Sequence, residues 1–396
     1  MFKIKTLNSI SPVGLEALDK SRYVVSDEIE NPDAILVRSA NMHNYEANPE
    51  LLCVARAGAG TNNIPVDKFA DMGIVVFNTP GANAEAVKEL ALCAMLLASR
   101  NIVGGIEWVR SIADKGDEVA PLVEKGKAQF VGPEIKGKTL GVVGLGAIGA
   151  KVAQAAVALG MTVYGYDPYL SVDAAWRMSS EVRHAKDLDT ILTQCDYITL
   201  HVPYTSSTKH MINAATINKM KRGVRIINLA RGELVNDDDM ICALEDGRVA
   251  CYVTDFPNGK TASHPKIIPI PHLGASTPES EDNCAYMAAK EIMDYLENGN
   301  ITNSVNMPSA VLPRSCDSRI CVIHKNVPDM IAKITSVVSG AGLNIENMIN
   351  AGTKNLPYAY TMIDVSSLVP GLAEDIRSLE GVVRVRALQG KGPCEF

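Results

Sequence analysis

The feature that most restricts this chain is a junction. The β-branched run Thr139-Leu140-Gly141-Val142-Val143 passes without interruption into Gly144-Leu145-Gly146-Ala147-Ile148-Gly149 and then into a helix-forming stretch over 151–159. The first glycine permits a tight turn, the second lets backbone approach a pyrophosphate, and the third lets the helix pack closely on the strand. The helix then aims unpaired N–H groups and a partial positive charge at that anion. Around the junction, short apolar runs at 139–143, 161–166, 197–202, 224–229, 250–254 and 266–270 alternate with amphipathic stretches. Parallel strands need a crossover between them, and helices of this length supply it. The pattern predicts a doubly wound parallel α/β sheet, with Gly144, Gly146, Ala147, Ile148 and Gly149 as candidate dinucleotide contacts.

The 396 residues exceed one such sheet and predict two or three domains. Runs at 33–37, 51–55 and 73–77 repeat the alternation more weakly and predict a smaller α/β domain over 1–95. A periodic stretch at 84–100 reads as a connecting helix, and 96–284 as the nucleotide domain. The segment 277–297 is helical and stops at Asn298-Gly299-Asn300, and 285–312 returns to the smaller domain with Pro308 in the linker. From Arg319 the pattern is strand 320–324, helix 329–341, strands 344–351 and 358–365, helix 371–378 and strand 382–387. That order predicts a ferredoxin-like βαββαβ module over 319–396.

Composition removes several classes of function. With 38 Lys plus Arg against 45 Asp plus Glu, the net charge is −7 and no long basic block exists, so no nucleic-acid surface is expected. The longest apolar run, 90–98, is about half of what a bilayer requires, so no membrane span is expected either. Met1-Phe2-Lys3-Ile4-Lys5-Thr6 is followed by no apolar stretch of signal length, and a cytoplasmic location is expected. The cysteines at 53, 93, 195, 242, 251, 284, 316, 321 and 394 are odd in number and include no CxxC pair. Buried thiols are expected, with no disulfide framework and no metal site.

An acid, Asp167, closes the strand after the glycine turn, 167 − 144 = 23 residues beyond Gly144. A carboxylate there accepts from a free ribose 2′-hydroxyl and repels a 2′-phosphate, so NAD is favoured over NADP. Arg231 and His272 follow two further strands, at the carboxyl ends where parallel sheets bind ligands. Oxidation of a secondary alcohol requires hydride removal by a nicotinamide and proton removal by a base, which suits histidine. A planar guanidinium pairs with a carboxylate in two parallel bonds and polarises a forming carbonyl. His201, at a third strand end, is the rival histidine, whereas His184, His210 and His264 lie in no motif.

Asn228-Leu229-Ala230-Arg231-Gly232, Thr254-Asp255-Phe256 and Pro271-His272-Leu273-Gly274-Ala275-Ser276-Thr277 resemble the D-isomer-specific 2-hydroxyacid dehydrogenases. Val37-Arg38-Ser39, Arg56-Ala57-Gly58-Ala59-Gly60-Thr61 and Asn78-Thr79-Pro80 draw the resemblance toward the branch that oxidises 3-phosphoglycerate, over about residues 35–390. The resemblance implies a Rossmann domain inserted in a flavodoxin-like substrate domain, NAD as cofactor, and a homo-oligomer, a dimer or tetramer. It implies Arg231 and His272 as catalytic, and Arg38, Ser39, Ala57, Gly58 and Asn78 as substrate contacts. It places Val202 and Pro203, beside His201, under the adenine, Asp255 at the nicotinamide amide, and Ala230 among the cofactor contacts.

Two positions depart from the family pattern. The glutamate that precedes the catalytic histidine is absent, with Gly259 at the matching place, and Ala40 stands where some members carry a further arginine. The C-terminal module resembles an ACT domain, which implies L-serine held between two modules by His324, Asn326 and Asn344. Two other readings stand beside this one. The chain could act on another small 2-hydroxy acid, such as glycerate or glyoxylate, or be a non-catalytic binding protein that senses NAD or an amino acid.

Overall fold

A computed structural model describes residues 1–354 and 356–390, and Cys394 lies outside the described residues. Two compact units are present: 84–277, and a discontinuous unit formed by 1–83 with the chain from Pro278 onward.

The continuous unit is built on seven parallel strands in the order Ile267–Pro269, Val249–Thr254, Val224–Asn228, Tyr197–Leu200, Thr139–Val143, Thr162–Tyr166 and Arg183–His184. Tyr197–Leu200 is buried at every position, which is why it reads as an unbroken apolar run. Chain order reverses between Thr139–Val143 and Tyr197–Leu200, so the strand that feeds the glycines lies beside the strand that ends at His201. Ligands of such sheets bind outside the carboxyl ends at that reversal.

Both expected boundaries move. Helix Ala84–Ser99 belongs to the nucleotide unit, so the division lies at 83/84 and not 95/96. Its buried face, Val87, Ala91, Ala94, Met95 and Ala98, shares one apolar core with Leu140, Val142 and Val152. The second division lies at 277/278 and not 284/285, where Pro278 opens the helix Pro278–Asn298. A proline at the first helical position gives up an N–H that has no intrahelical partner.

The discontinuous unit contains five parallel strands in the order Tyr23–Ser26, Phe2–Leu7, Ala34–Val37, Cys53–Arg56 and Val75–Phe77, the flavodoxin-like order. Its reversal falls between Phe2–Leu7 and Ala34–Val37, and Arg38 follows the latter. Phe2–Leu7 and Tyr23–Ser26 escape the sequence reading because only Ile4 and Tyr23 in them are buried.

The C-terminal module adds four antiparallel strands in the order Ile345–Gly352, Tyr358–Val365, Ser318–Lys325 and Val382–Gln389, with helices Met330–Gly340 and Leu372–Arg377. One sheet face, including Ile320, Val322, Ile363 and Val385, packs on those helices. The other, with Cys321, Ile323, Tyr358, Tyr360 and Met362, joins the same core as Cys53, Ala55, Ala288, Ile292 and Tyr295. The module is therefore an integral part of the substrate unit. Helix Pro278–Asn298 shows how they are joined. The last four carbonyls of a helix have no intrahelical partner. Here Arg386 donates to the carbonyls of Tyr295 (3.0 Å) and Leu296 (2.9 Å), Arg314 to Glu297 (3.3 Å) and Arg319 to Asn298 (2.8 Å). Arg319 also pairs with Asp364 through two bonds of 2.6 and 3.0 Å, both side chains fully buried. Arg384 donates to the carbonyls of Leu51 (2.7 Å), Pro49 (3.3 Å) and Met72 (3.0 Å), which precede the strands Cys53–Arg56 and Val75–Phe77.

Candidate active site

The glycine turn separates what the protein's own packing demands from what a ligand demands. Gly144 has φ 90°, and a Cβ there would lie 2.4 Å from the His201 carbonyl oxygen. A Cβ at Gly149 would lie 1.9 Å from the Gly144 carbonyl oxygen. Gly146 has no such neighbour: a Cβ built on it meets nothing within 4 Å. It stands at the head of helix Ala147–Ala158, where no side chain caps the first N–H groups. A glycine that packing does not require, before an uncapped helix, fits a pyrophosphate approaching Ala147 and Ile148.

Asp167 accepts from the Leu145 N–H through Oδ2 (2.9 Å) and from the Tyr169 N–H through Oδ1 (2.9 Å). It thus ties the glycine turn to the next strand, and its other lone pairs stay open to ribose hydroxyls. His201 forms part of the wall. Its ring bonds Thr199 Oγ1 at 2.9 Å, and burial pushes the imidazole down to about 4. A ring held neutral in this way is a packing element and a poor proton acceptor at neutral pH. Val202 is half-buried and touches the space above Gly144, while Pro203 is exposed.

Arg231 and His272 are both exposed and both lean on Phe256. The His272 ring lies 4.6 Å from the Phe256 ring, centroid to centroid, and the Arg231 guanidinium carbon lies 5.9 Å from it. Arg231 donates to the Ala230 carbonyl at 2.6 Å, and among the described residues it has no carboxylate in ion-pair range. Asp255 is 1% exposed, and its Oδ1 has no hydrogen-bond partner. Burial raises its carboxyl, against the opposing pull of the His272 and Arg231 charges. A buried acceptor without a donor fits the amide N–H of a nicotinamide carboxamide.

Among the described residues no carboxylate is hydrogen-bonded to His272, and Asp255 acts on it through charge alone. The loop after Phe256 is closed on itself: Asn258 Oδ1 accepts from the N–H groups of Lys260 (3.0 Å) and Thr261 (3.2 Å), and Lys260 pairs with Asp238 at 2.7 Å. A Cβ at Gly259 would meet nothing within 4 Å.

In the substrate unit, Arg38 pairs with Glu281 at 2.5 Å, each side chain 40% exposed. Asn8, in the left-handed region at φ 71°, accepts from the N–H groups of Ser39 (3.0 Å) and Ala40 (2.5 Å). Ala57 is buried, and its N–H bonds the Val37 carbonyl at 2.8 Å. Asn78 donates through Nδ2 to Ala59 at 2.6 Å. The structure adds Arg56, a residue the sequence reading quoted without a role. Its Nε donates to the Arg38 carbonyl at 3.2 Å, and a Cβ on Gly58 would lie 2.1 Å from its Nη1. Two guanidinium-bearing residues thus meet at neighbouring strand ends, and the glycine exists to admit one of them.

The NAD-binding domain of the D-isomer-specific 2-hydroxyacid dehydrogenases, as a family profile, matches residues 92–274. The D-3-phosphoglycerate dehydrogenase of Haemophilus influenzae is 30% identical over 356 residues, covering 87% of this chain and 82% of that protein. The chain belongs to the D-isomer-specific 2-hydroxyacid dehydrogenase family. The D-3-phosphoglycerate dehydrogenase of Bacillus subtilis is 33% identical over 327 residues, 78% of this chain, of whose length this chain spans 60%. A crystal structure of the NAD+-bound 3-phosphoglycerate dehydrogenase of Entamoeba histolytica aligns with TM-score 0.59 and 26% identity, over 77% of this chain and 98% of that one. A glyoxylate reductase from Paecilomyes thermophila, at TM-score 0.63 and 24% identity over 77% of this chain and 98% of that one, shares the fold.

On this 2-hydroxyacid dehydrogenase scaffold the three module residues do not meet. His324 is buried, with Nδ1 on the Lys325 carbonyl (2.8 Å) and Nε2 on Thr361 Oγ1 (2.9 Å). Asn326 donates to the Thr353 carbonyl at 3.1 Å, beyond one end of strand Ile345–Gly352, and Asn344 precedes the other end. Eight strand residues at about 3.3 Å each put roughly 25 Å between them. Among the described residues no cluster of potential metal ligands occurs, and no single helix is long and apolar enough to cross a membrane.

Proposed function

We propose that this chain is an NAD-dependent D-3-phosphoglycerate dehydrogenase. The observation that carries the reading is a trio at carboxyl ends of the sheet: Arg231 with no carboxylate in ion-pair range among the described residues, His272 exposed beside it on Phe256, and a buried Asp255 oxygen without a donor among those residues. NAD, when bound, would supply the acceptor for the hydride on C2 of the hydroxy acid. His272 accepts the hydroxyl proton at a ring nitrogen as the carbonyl forms. Arg231 holds the carboxylate and stabilises charge on the new carbonyl oxygen. Asp255 orients the carboxamide, Asp167 accepts from the ribose and disfavours NADP, and the head of helix Ala147–Ala158 takes the pyrophosphate. In the substrate unit, Arg38 and Arg56 supply the guanidinium groups that a phosphate requires, with Ser39, Ala57, Gly58 and Asn78 around them.

One observation favours a second reading: Glu281 already neutralises Arg38, which suits an unphosphorylated acid such as glycerate or glyoxylate. Steady-state assays with 3-phosphoglycerate and glycerate, each with NAD and NADP, decide between them. The expected result is preference for 3-phosphoglycerate with NAD, and preference for glycerate would replace the first reading.

A second copy of this chain is the partner that fits. Helix Ile102–Ser111 has no buried residue and exposes Ile102, Val103, Ile106 and Val109. Serine binding also needs two copies, since Asn326 and Asn344 are far apart in one chain. Light scattering tests the first point, and calorimetry with serine on the wild-type protein and Asn326→Ala tests the second.

A further inference from the structure

Asn228 closes the strand Val224–Asn228, is fully buried, and has no part in the roles assigned above. Beyond the strand end the backbone groups leave the ladder and need other partners. Asn228 supplies them: Oδ1 accepts from the Ala230 N–H at 3.2 Å, and Nδ2 donates to the Arg231 carbonyl at 2.8 Å and to the Tyr252 phenol oxygen at 3.3 Å. Burial pushes that phenol up to about 12, so the oxygen stays neutral. Tyr252 lies on the neighbouring strand Val249–Thr254, whose last residue pairs in register with Asn228 and accepts from the Phe256 N–H through Oγ1 at 3.1 Å. One buried amide thus fastens the turn that carries Arg231 to the strand that leads into Asp255 and Phe256.

We propose that Asn228 is a positioning residue for Arg231: its amide fixes the turn at 230–231 so that the exposed guanidinium presents its fork to the substrate carboxylate. The proposal rests on the reading of Arg231 as the partner of that carboxylate. A buried asparagine that satisfies backbone groups is ordinary. What gives this one a further effect is how Arg231 is held. An arginine braced by a carboxylate is aimed through its side chain, and among the described residues Arg231 has no such brace. Its guanidinium lies 5.9 Å from the Phe256 ring and donates to the Ala230 carbonyl at 2.6 Å. Ala230 is the residue whose N–H Asn228 holds, so the same clamp governs both the root of the side chain and the acceptor at its tip. A reacting group has to be kept within about 0.5 Å of its productive place, and about 1 Å of misplacement can cost about 10²-fold in rate. Aspartate offers no donor for the Arg231 carbonyl, and glutamine is one methylene longer, so the clamp is specific to asparagine.

The test is a double-mutant cycle between the clamp and the arginine, with kcat/KM for 3-phosphoglycerate read from NADH formation at high enzyme concentration. Asn228→Ala removes all three bonds and should lower kcat/KM by about 10²-fold while NAD affinity, titrated by fluorescence, stays unchanged. Tyr252→Phe removes only the phenol end of the network and should lower it by about fivefold. In an Arg231→Ala background, which has no guanidinium left to misplace, either change should cost about twofold or less. A role confined to stability predicts the same fold-loss with and without Arg231, and that result overturns the proposal, as does an Asn228→Ala enzyme with wild-type kcat/KM. If urea unfolding shows that Asn228→Ala does not fold, the cycle is run with Tyr252→Phe under the same criterion. A wild-type protein that turns over neither 3-phosphoglycerate nor glycerate sinks the functional reading instead. Hydrogen exchange in the peptide covering 229–234, expected to quicken in both variants, then decides the clamp alone, and unchanged exchange overturns it.

Discussion

The seven-stranded sheet is both made and covered by one continuous stretch, 84–277, whereas the five-stranded sheet borrows its cover from helix Pro278–Asn298 and the C-terminal module. The nucleotide unit closes its core partly with helices that are near neighbours in sequence, such as Ala147–Ala158 on Thr139–Val143. The substrate unit closes its core across the length of the chain, and arginines do the joining. The contrast teaches where stability is concentrated: spread over apolar packing in the first unit, and in the second placed partly in charged groups whose partners lie far away.

The largest expected effect is at Arg319. Its removal leaves the Asp364 carboxylate buried without its partner, at a cost of about 3–5 kcal/mol. Arg319→Ala should lower the unfolding midpoint in urea, and hydrogen exchange should locate the loss in 1–83 and 278–390 with protection in 84–277 kept. Equal loss in both units would break the comparison.

His272→Ala tests the other unit, and should cut kcat by about 10²-fold or more while leaving urea unfolding unchanged. A variant that keeps its activity would point to a different base. Arg386→Ala deletes two guanidinium bonds to the end of helix Pro278–Asn298, worth about 1.5–3 kcal/mol, and should show the Arg319 pattern in milder form. Asp167→Ala sharpens the comparison at its small end. Loss of the ribose acceptor and of the Leu145 tie should weaken NAD binding by about tenfold and narrow the gap to NADP, with no change in the substrate unit. Titration of NAD and NADP by fluorescence checks this, and an unchanged ratio removes the assigned role.

Much of this was legible because the signals are local. The strand at Thr139–Val143, the three glycines, Asp167 and the strand ends at Arg231 and His272 are each read from a few adjacent residues. The register of six alternating runs was equally plain, since central parallel strands are apolar throughout. The strand Phe2–Leu7 was missed for the opposite reason, with one buried residue and lysines at 3 and 5. The pairing of Arg38 with Glu281, and the orphaned oxygen of Asp255, had no signal in the sequence, because each depends on what happens to stand beside a side chain in space.

By itself the sequence determined the doubly wound nucleotide fold, the ferredoxin-like order of the last strands and the residue types available for hydride and proton transfer. These follow from periodicity and turn chemistry, which act over neighbouring residues. Only the tertiary structure decided that helix Ala84–Ser99 packs with the nucleotide unit and that the C-terminal module shares a core with the substrate sheet. It also brought Arg56 to Arg38. An amphipathic pattern states that a face will be buried, and a charged side chain that it will want a partner. Neither says against what, because that is chosen by contacts that exist only once the chain has folded.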